Sequence, residues 1–146
     1  MKTFHPYIAI MALLFSFSSH SIAQNLEVHN FIGKQRSEVV AFYGNPVNTD
    51  NSTPSMICLF YKSPTMIFVS DETSIYQAEI TKDYSNESEA RSELDAMINK
   101  SIKNGYTSDS VTVSNLKLHK TGVQTDIQIL NLQDKFQIKI KAVRHD

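Results

Sequence analysis

The 146-residue chain has no tryptophan, one cysteine, four glycines and four prolines. Each scarcity removes a class of protein. A lone Cys58 cannot form an intramolecular disulfide, so no staple framework supports the fold. With four glycines there is no G-x-G-x-x-G and no Walker loop to cradle phosphates. Few glycines and prolines, beside 41% hydrophobic residues, exclude collagen-like and disordered compositions. Neither sign of charge dominates, and the formal net charge is -1. That excludes a strongly basic nucleic-acid binder and a polybasic membrane-surface protein.

What is present begins with an export-like N-terminus. Lys2 supplies a positive region, Tyr7 to Phe15 a short apolar one, and Ser21-Ile22-Ala23 small residues at the -3 and -1 positions. This is the layout of a secretory signal peptide, with cleavage expected after Ala23. The apolar run is about half of the roughly 20 residues a membrane helix needs, so no stable span is expected after cleavage. Residues 24–146 are then expected to form one exported α+β domain. A chain of that size buries about two-thirds of its unfolded surface, enough for one core.

Periodicity predicts the elements. Val39, Val40, Phe42 and Tyr43 recur at helical spacing, and Gly44 with Pro46 stops a helix of two or three turns. Residues 48–55 read as a polar loop. Met56–Tyr61 and Thr65–Val69 are short β-rich runs around Lys62-Ser63-Pro64, an antiparallel hairpin. Residues 75–84 alternate as a half-buried strand. Asn86 and Glu89 form a capping-box pattern opening a helix over 87–104, with Ala90, Leu94, Met97, Ile98 and Ile102 on one stripe. Val111 and Val113 fall on odd positions, Leu116 and Leu118 on even ones. The phase switch predicts either a bulge near Ser114-Asn115 or two short strands. Val123–Ile129 and Phe136–Ala142 alternate as two further strands. No sequence repeat is visible. The expected architecture is a two-layer α+β sandwich. Its antiparallel sheet would have about five or six strands, with a short and a long helix on one face.

The segment Phe31-Ile32-Gly33 through Val39 to Gly44-Asn45-Pro46 resembles, with four residues in place of three between Val39 and Gly44, the G-x(3–4)-E-V-x(3)-G-x-P helix of a known group. That group comprises the SmpA/OmlA (BamE-like) outer-membrane assembly lipoproteins and the beta-lactamase-inhibitor-like domains. Phe60-Tyr61 matches the aromatic strand that follows, and Ile67 to Asp71 the second, so the resemblance spans residues 31–80. It implies an exported binding or scaffold module. The chain departs from the lipoprotein members in lacking their lipidated cysteine. It also departs in placing its long helix after the third strand.

No chemical constellation stands out. His29, His119 and His145 are far apart, match no metal-binding spacing, and read as solvated surface residues. Asp71-Glu72 lacks the spaced pattern of a calcium loop. No G-x-S-x-G occurs, and Cys58, inside an apolar run, reads as a buried inert thiol. Catalytic residues, metal ligands and cofactor ligands are therefore expected to be none. The expected function is a small non-catalytic binding module, periplasmic or secreted, acting through protein–protein contacts with an envelope or extracellular protein. The candidate surface is the solvent-facing side of the sheet around Gln128, Lys139 and Lys141. The alternative is a small-ligand carrier in the cell envelope, lined by Tyr76, Met97 and Phe136. An enzyme is the remote reading, with Cys58 its one soft nucleophile.

Overall fold

The computed structural model describes residues 25–146, so the signal-peptide and cleavage-site expectations lie outside the described residues. A 3-10 turn over Val28–Phe31 leads into helix α1 (Arg36–Tyr43). Four strands follow as a meander: β1 (Asn48–Thr53), β2 (Met56–Tyr61), β3 (Thr65–Ser70) and β4 (Ile75–Tyr84). Helix α2 (Glu87–Lys103) crosses to a second meander: β5 (Thr107–Thr112), β6 (Asn115–Lys120), β7 (Val123–Asn131) and β8 (Phe136–Arg144).

All eight strands form one antiparallel sheet in the order β1-β2-β3-β4-β8-β7-β6-β5. This overturns the expected five- or six-stranded two-layer sandwich. The protein is mostly sheet, with two α-helices among the described residues. One strand was hidden by its composition, and a second showed only in part: of the two readings of the phase switch near Ser114-Asn115, two short strands is the one the structure has. β1 (Asn-Thr-Asp-Asn-Ser-Thr) and β5 (Thr-Ser-Asp-Ser-Val-Thr) are exposed at every position, so neither shows the apolar alternation that marks a half-buried strand. They are also the two edges of the sheet. Each carries a carboxylate in its run, Asp50 and Asp109, which disfavours pairing with another edge of the same kind.

The two meanders repeat one plan. α1 precedes β1–β4 and α2 precedes β5–β8, and corresponding elements lie roughly 60 residues apart. The last strand of each meander, β4 and β8, meet at the centre with Ile80 opposite Ile140. Both helices run out at glycines of positive φ, Gly44 (+82°) and Gly105 (+92°). At Gly44 the ψ of -169° completes a conformation that is nearly glycine-only. A Cβ there would meet nothing within 4 Å, so the cost of a side chain is backbone strain alone. Gly44→Ala is expected to lower stability by about 1–3 kcal/mol in urea denaturation.

Strand alternation gives the sheet two unlike faces. One carries the cross-strand rows Leu59-Phe68-Ala78-Ala142-Thr125-Leu118 and Tyr61-Met66-Ile80-Ile140-Ile127-Leu116. These residues form the core with Val39 of α1 and with Ala90, Leu94 and Met97 of α2. The buried stripe of α2 continues through Ser101, while Ile102, expected on it, is 48% exposed. The 3-10 turn contacts β4 and β8, where Ala78 and Ala142 are paired. Backbone bonds from Gly33 N to Ile75 O and from Ile75 N to Lys34 O, both 2.8 Å, hold the lead-in to the start of β4. Arg36 donates to Ser70 Oγ (2.8 Å) and to Asp71 O (2.9 Å), tying α1 to the end of β3.

Candidate functional site

The second face of the sheet carries the complementary residues of every strand. Its central row runs Asp109-Lys117-Asp126-Lys141-Glu79 across β5, β6, β7, β8 and β4. The signs alternate without a break. Lys117 Nζ lies 3.7 Å from Asp126 Oδ1, and Lys141 Nζ lies 3.4 Å from Glu79 Oε1. Opposite charges directly across a strand pair stabilise it by about 0.2–1 kcal/mol each. Beyond Glu79 the same row becomes apolar, through Ile67 of β3 to Phe60 of β2. The face is therefore charged over one meander and apolar over part of the other.

The neighbouring row is Thr81-Lys139-Gln128-Asn115, on β4, β8, β7 and β6. It contains one charge, and no carboxylate stands beside Lys139 in it. The two rows line a shallow groove of about 500 Å³, with Val111 of β5 at its rim. All three residues expected at the partner surface, Gln128, Lys139 and Lys141, line this groove together. The pattern of β7 and β8 made them legible, because outward positions follow from alternation alone. Glu79, Thr81, Asn115 and Val111 were not anticipated there. Their strands come from other parts of the chain, and only the β4–β8 pairing and the β5–β6 hairpin bring them in.

Cys58 shares the uncovered face, two strands from Gln77 and directly across from Val69. It is half-exposed and not buried as expected. Partial burial raises its thiol pKa, and the Asp50 carboxylate raises it further, so the less nucleophilic thiol form prevails. The residues named for a ligand carrier do not enclose a site. Met97 is core, Phe136 packs against the core, and Tyr76 is half-buried on β4. Asp71 is occupied as a loop organiser, accepting from Thr73 N, Thr73 Oγ1 and Ser74 N. Among the described residues, no group of three or more His, Cys, Asp or Glu is placed to hold a metal ion.

One polar cluster lies beneath the helices. His29 is 1% exposed, a correction to its reading as a surface residue. Its Nε2 is 2.9 Å from Ser101 Oγ, which itself donates to Met97 O at 2.9 Å. The serine hydrogen is thereby committed, so His29 donates from Nε2 and its Nδ1 is a bare acceptor with no partner. The Tyr106 ring stands edge-on at 4.9 Å. Glu27, also buried, pairs with Lys100 at 2.7 Å. Burial works to raise the Glu27 pKa, but bonds from Lys100 and Asn25 carry it below the usual carboxylate value. With neither ring nitrogen of His29 nor Ser101 Oγ open to solvent, this cluster holds the lead-in against α2 and offers no access to a substrate.

No protein-family model and no curated protein sequence matches the chain. A solved structure of an extracellular protein containing a SCP domain from Bacillus anthracis str. Ames is similar at 11% identity and a TM-score of 0.47. The match covers 79% of this chain and 44% of that one, so this chain spans less than half of that protein. A likeness of this degree carries no argument about function. Among the described residues, no helix is long and apolar enough to cross a membrane.

Proposed function

We propose that the protein is an exported, non-catalytic binding module. It docks an envelope or extracellular protein on the uncovered face of its sheet. The observation that carries this reading is the groove lined by Gln128, Lys139 and Lys141. It lies on a face that neither helix covers, between the row of alternating charge and the row that carries Lys139 alone. A broad, rigid, polar surface with a shallow groove suits a protein partner, whose contact area supplies what an enclosed cavity supplies to a small ligand. Export rests on the N-terminal sequence pattern, and the resemblance of residues 31–80 points to the same compartment.

The test is cross-linking capture from the cell envelope with the tagged protein, read by mass spectrometry. Wild type is expected to retain one dominant partner. Lys139→Glu combined with Lys141→Glu is expected to lose it, because two of the groove's three cations change sign. Both side chains are exposed, and placing a glutamate at position 141 between Asp126 and Glu79 costs the fold about 1–2 kcal/mol. A cooperative thermal transition only slightly below that of wild type would show that the fold is kept and the loss is local. Capture that survives the double reversal would overturn the reading.

A further inference from the structure

Resting on the open-face reading, we infer that the groove recognises an exposed acidic loop of its protein partner. A Glu or Asp side chain on Lys139 and Gln128 would be flanked by an apolar residue against Val111. The groove holds three lysines and two carboxylates. Lys141 and Lys117 already have theirs, in Glu79 and Asp126. Lys139 is the remaining cation, exposed between Thr81 and Gln128, with no ion pair among the described residues. Beside it the exposed Gln128 side chain makes no hydrogen bond among the described residues, while Asn115 Nδ2 is committed to Thr112 Oγ1 at 3.0 Å. An ammonium and an amide NH2 on adjacent strands, about 5 Å apart, present converging donors. A carboxylate accepts from both at once and neutralises the ammonium, whereas a cation accepts from neither and a neutral amide oxygen leaves the ammonium charge unbalanced.

The paired lysines sharpen the choice. An incoming carboxylate meets Glu79 and Asp126 already neutralised, so it is not repelled, and the free ammonium decides its seat. The apolar part of the ligand follows from the rim. Val111 is 60% exposed and lines the groove, and Val113, in the turn of the same hairpin, is 83% exposed. Val111 in the groove, with Val113 two residues on, leaves exposed apolar surface for a partner to cover. The groove is open and shallow, so a loop on a folded protein fits it better than a free metabolite.

The experiment is selection of disulfide-cyclised heptapeptides displayed on phage, panned against the full chain. Selected peptides are expected to carry Asp or Glu beside an aliphatic or aromatic residue. Their binding should shift the backbone NMR signals of Gln128 and Lys139. Replacing the peptide acid by its amide, or Lys139→Met in the protein, should each weaken binding about tenfold. The two changes together should cost little more than either alone. Lys103→Met, at the end of α2 away from the groove, should leave affinity unchanged. Peptides that bind at Gln128 and Lys139 without acidic enrichment, or insensitive to Lys139→Met, would overturn the acidic-loop inference and leave the open-face reading standing. Selection of no groove-binding peptide would overturn the inference as well. The open-face reading falls only if, in addition, envelope capture survives the double charge reversal.

Discussion

Phe68→Ala is expected to cost about 3–5 kcal/mol, the largest effect of any single truncation in this core. Phe68 has no exposed surface and stands at the centre of an aromatic cluster. Its ring lies 5.7 Å from Phe31, 5.5 Å from Tyr43 and 6.0 Å from Tyr61, between centroids. These partners come from the lead-in, from α1 and from β2, so one side chain joins three segments to β3. Its cross-strand neighbours are Leu59 and Ala78. Ala78 is opposite Ala142 in turn, and two alanines cannot swing in to fill the space. The void therefore persists, which places the loss in the upper half of the range. The Tyr61 hydroxyl donates to Gly44 O at 3.0 Å, so a shifted Tyr61 also loosens the end of α1. Urea denaturation with an unchanged m-value should report the loss. Hydrogen exchange should show it first in α1, before α2. Phe68→Leu keeps most of the volume and should cost well under half as much. A loss near 1 kcal/mol for the alanine variant would mean that the cluster collapses around the gap and does not anchor α1.

How much of this was legible depends on where each element buries its side chains. β4, β7 and β8 alternate because one face meets the core and the other meets water, and their limits were readable to within two or three residues. α2 opened at Asn86 as the capping pattern required, with Asn86 Oδ1 accepting from Glu89 N at 2.9 Å. α1 stopped at Gly44. The edge strand β1 was illegible, and β5 showed only as one of the two readings of the phase switch between Val113 and Leu116. A strand that buries nothing has no periodicity, and only its hydrogen bonds to β2 and β6 define it. Missing β1, with β5 left open, concealed the eight-stranded sheet and the repeated plan of the two halves. The charge ladder was illegible for a different reason. Glu79 and Lys141 are far apart in sequence, and only the register of β4 on β8 puts them opposite each other. His29 misled because a histidine in a polar stretch resembles a solvated one. Its partner Ser101 sits at helical spacing from Met97 on the buried stripe of α2, a signal that the polarity of a serine masks.

Acidification is expected to weaken the fold through that same histidine. Burial lowers the His29 pKa from 6.5 to about 4; Glu27 works to raise it and Lys100 to lower it further. The charged and polar groups facing it are Glu27 and Tyr106 beside it in space and Lys100 and Ser101 on α2. Protonation would put a hydrogen on Nδ1, where no acceptor waits. The folded state therefore resists the proton that the unfolded chain takes up readily. Where the folded pKa is depressed for a base, the unfolded state binds more protons as pH falls, and stability falls with it. The contribution is fully present above about pH 6.5 and is lost progressively down to about pH 4. A shift of this size corresponds to about 3 kcal/mol at most, the larger part of it lost between pH 7 and pH 4.5. Glu27 acts in a lower window, because its depressed pKa withdraws stability only as pH falls below the ordinary carboxylate range. The two effects separate near pH 4.5. Urea unfolding at pH 7 and at pH 4.5 should show the loss in wild type. His29→Gln keeps a donor for Ser101 Oγ and carries no titrating ring, so its stability should change far less over the same interval. An equal slope in both proteins would show that His29 gives up its buried seat without cost. In that case the lead-in, and not the imidazole, holds Val28 and Phe31 over the centre of the sheet.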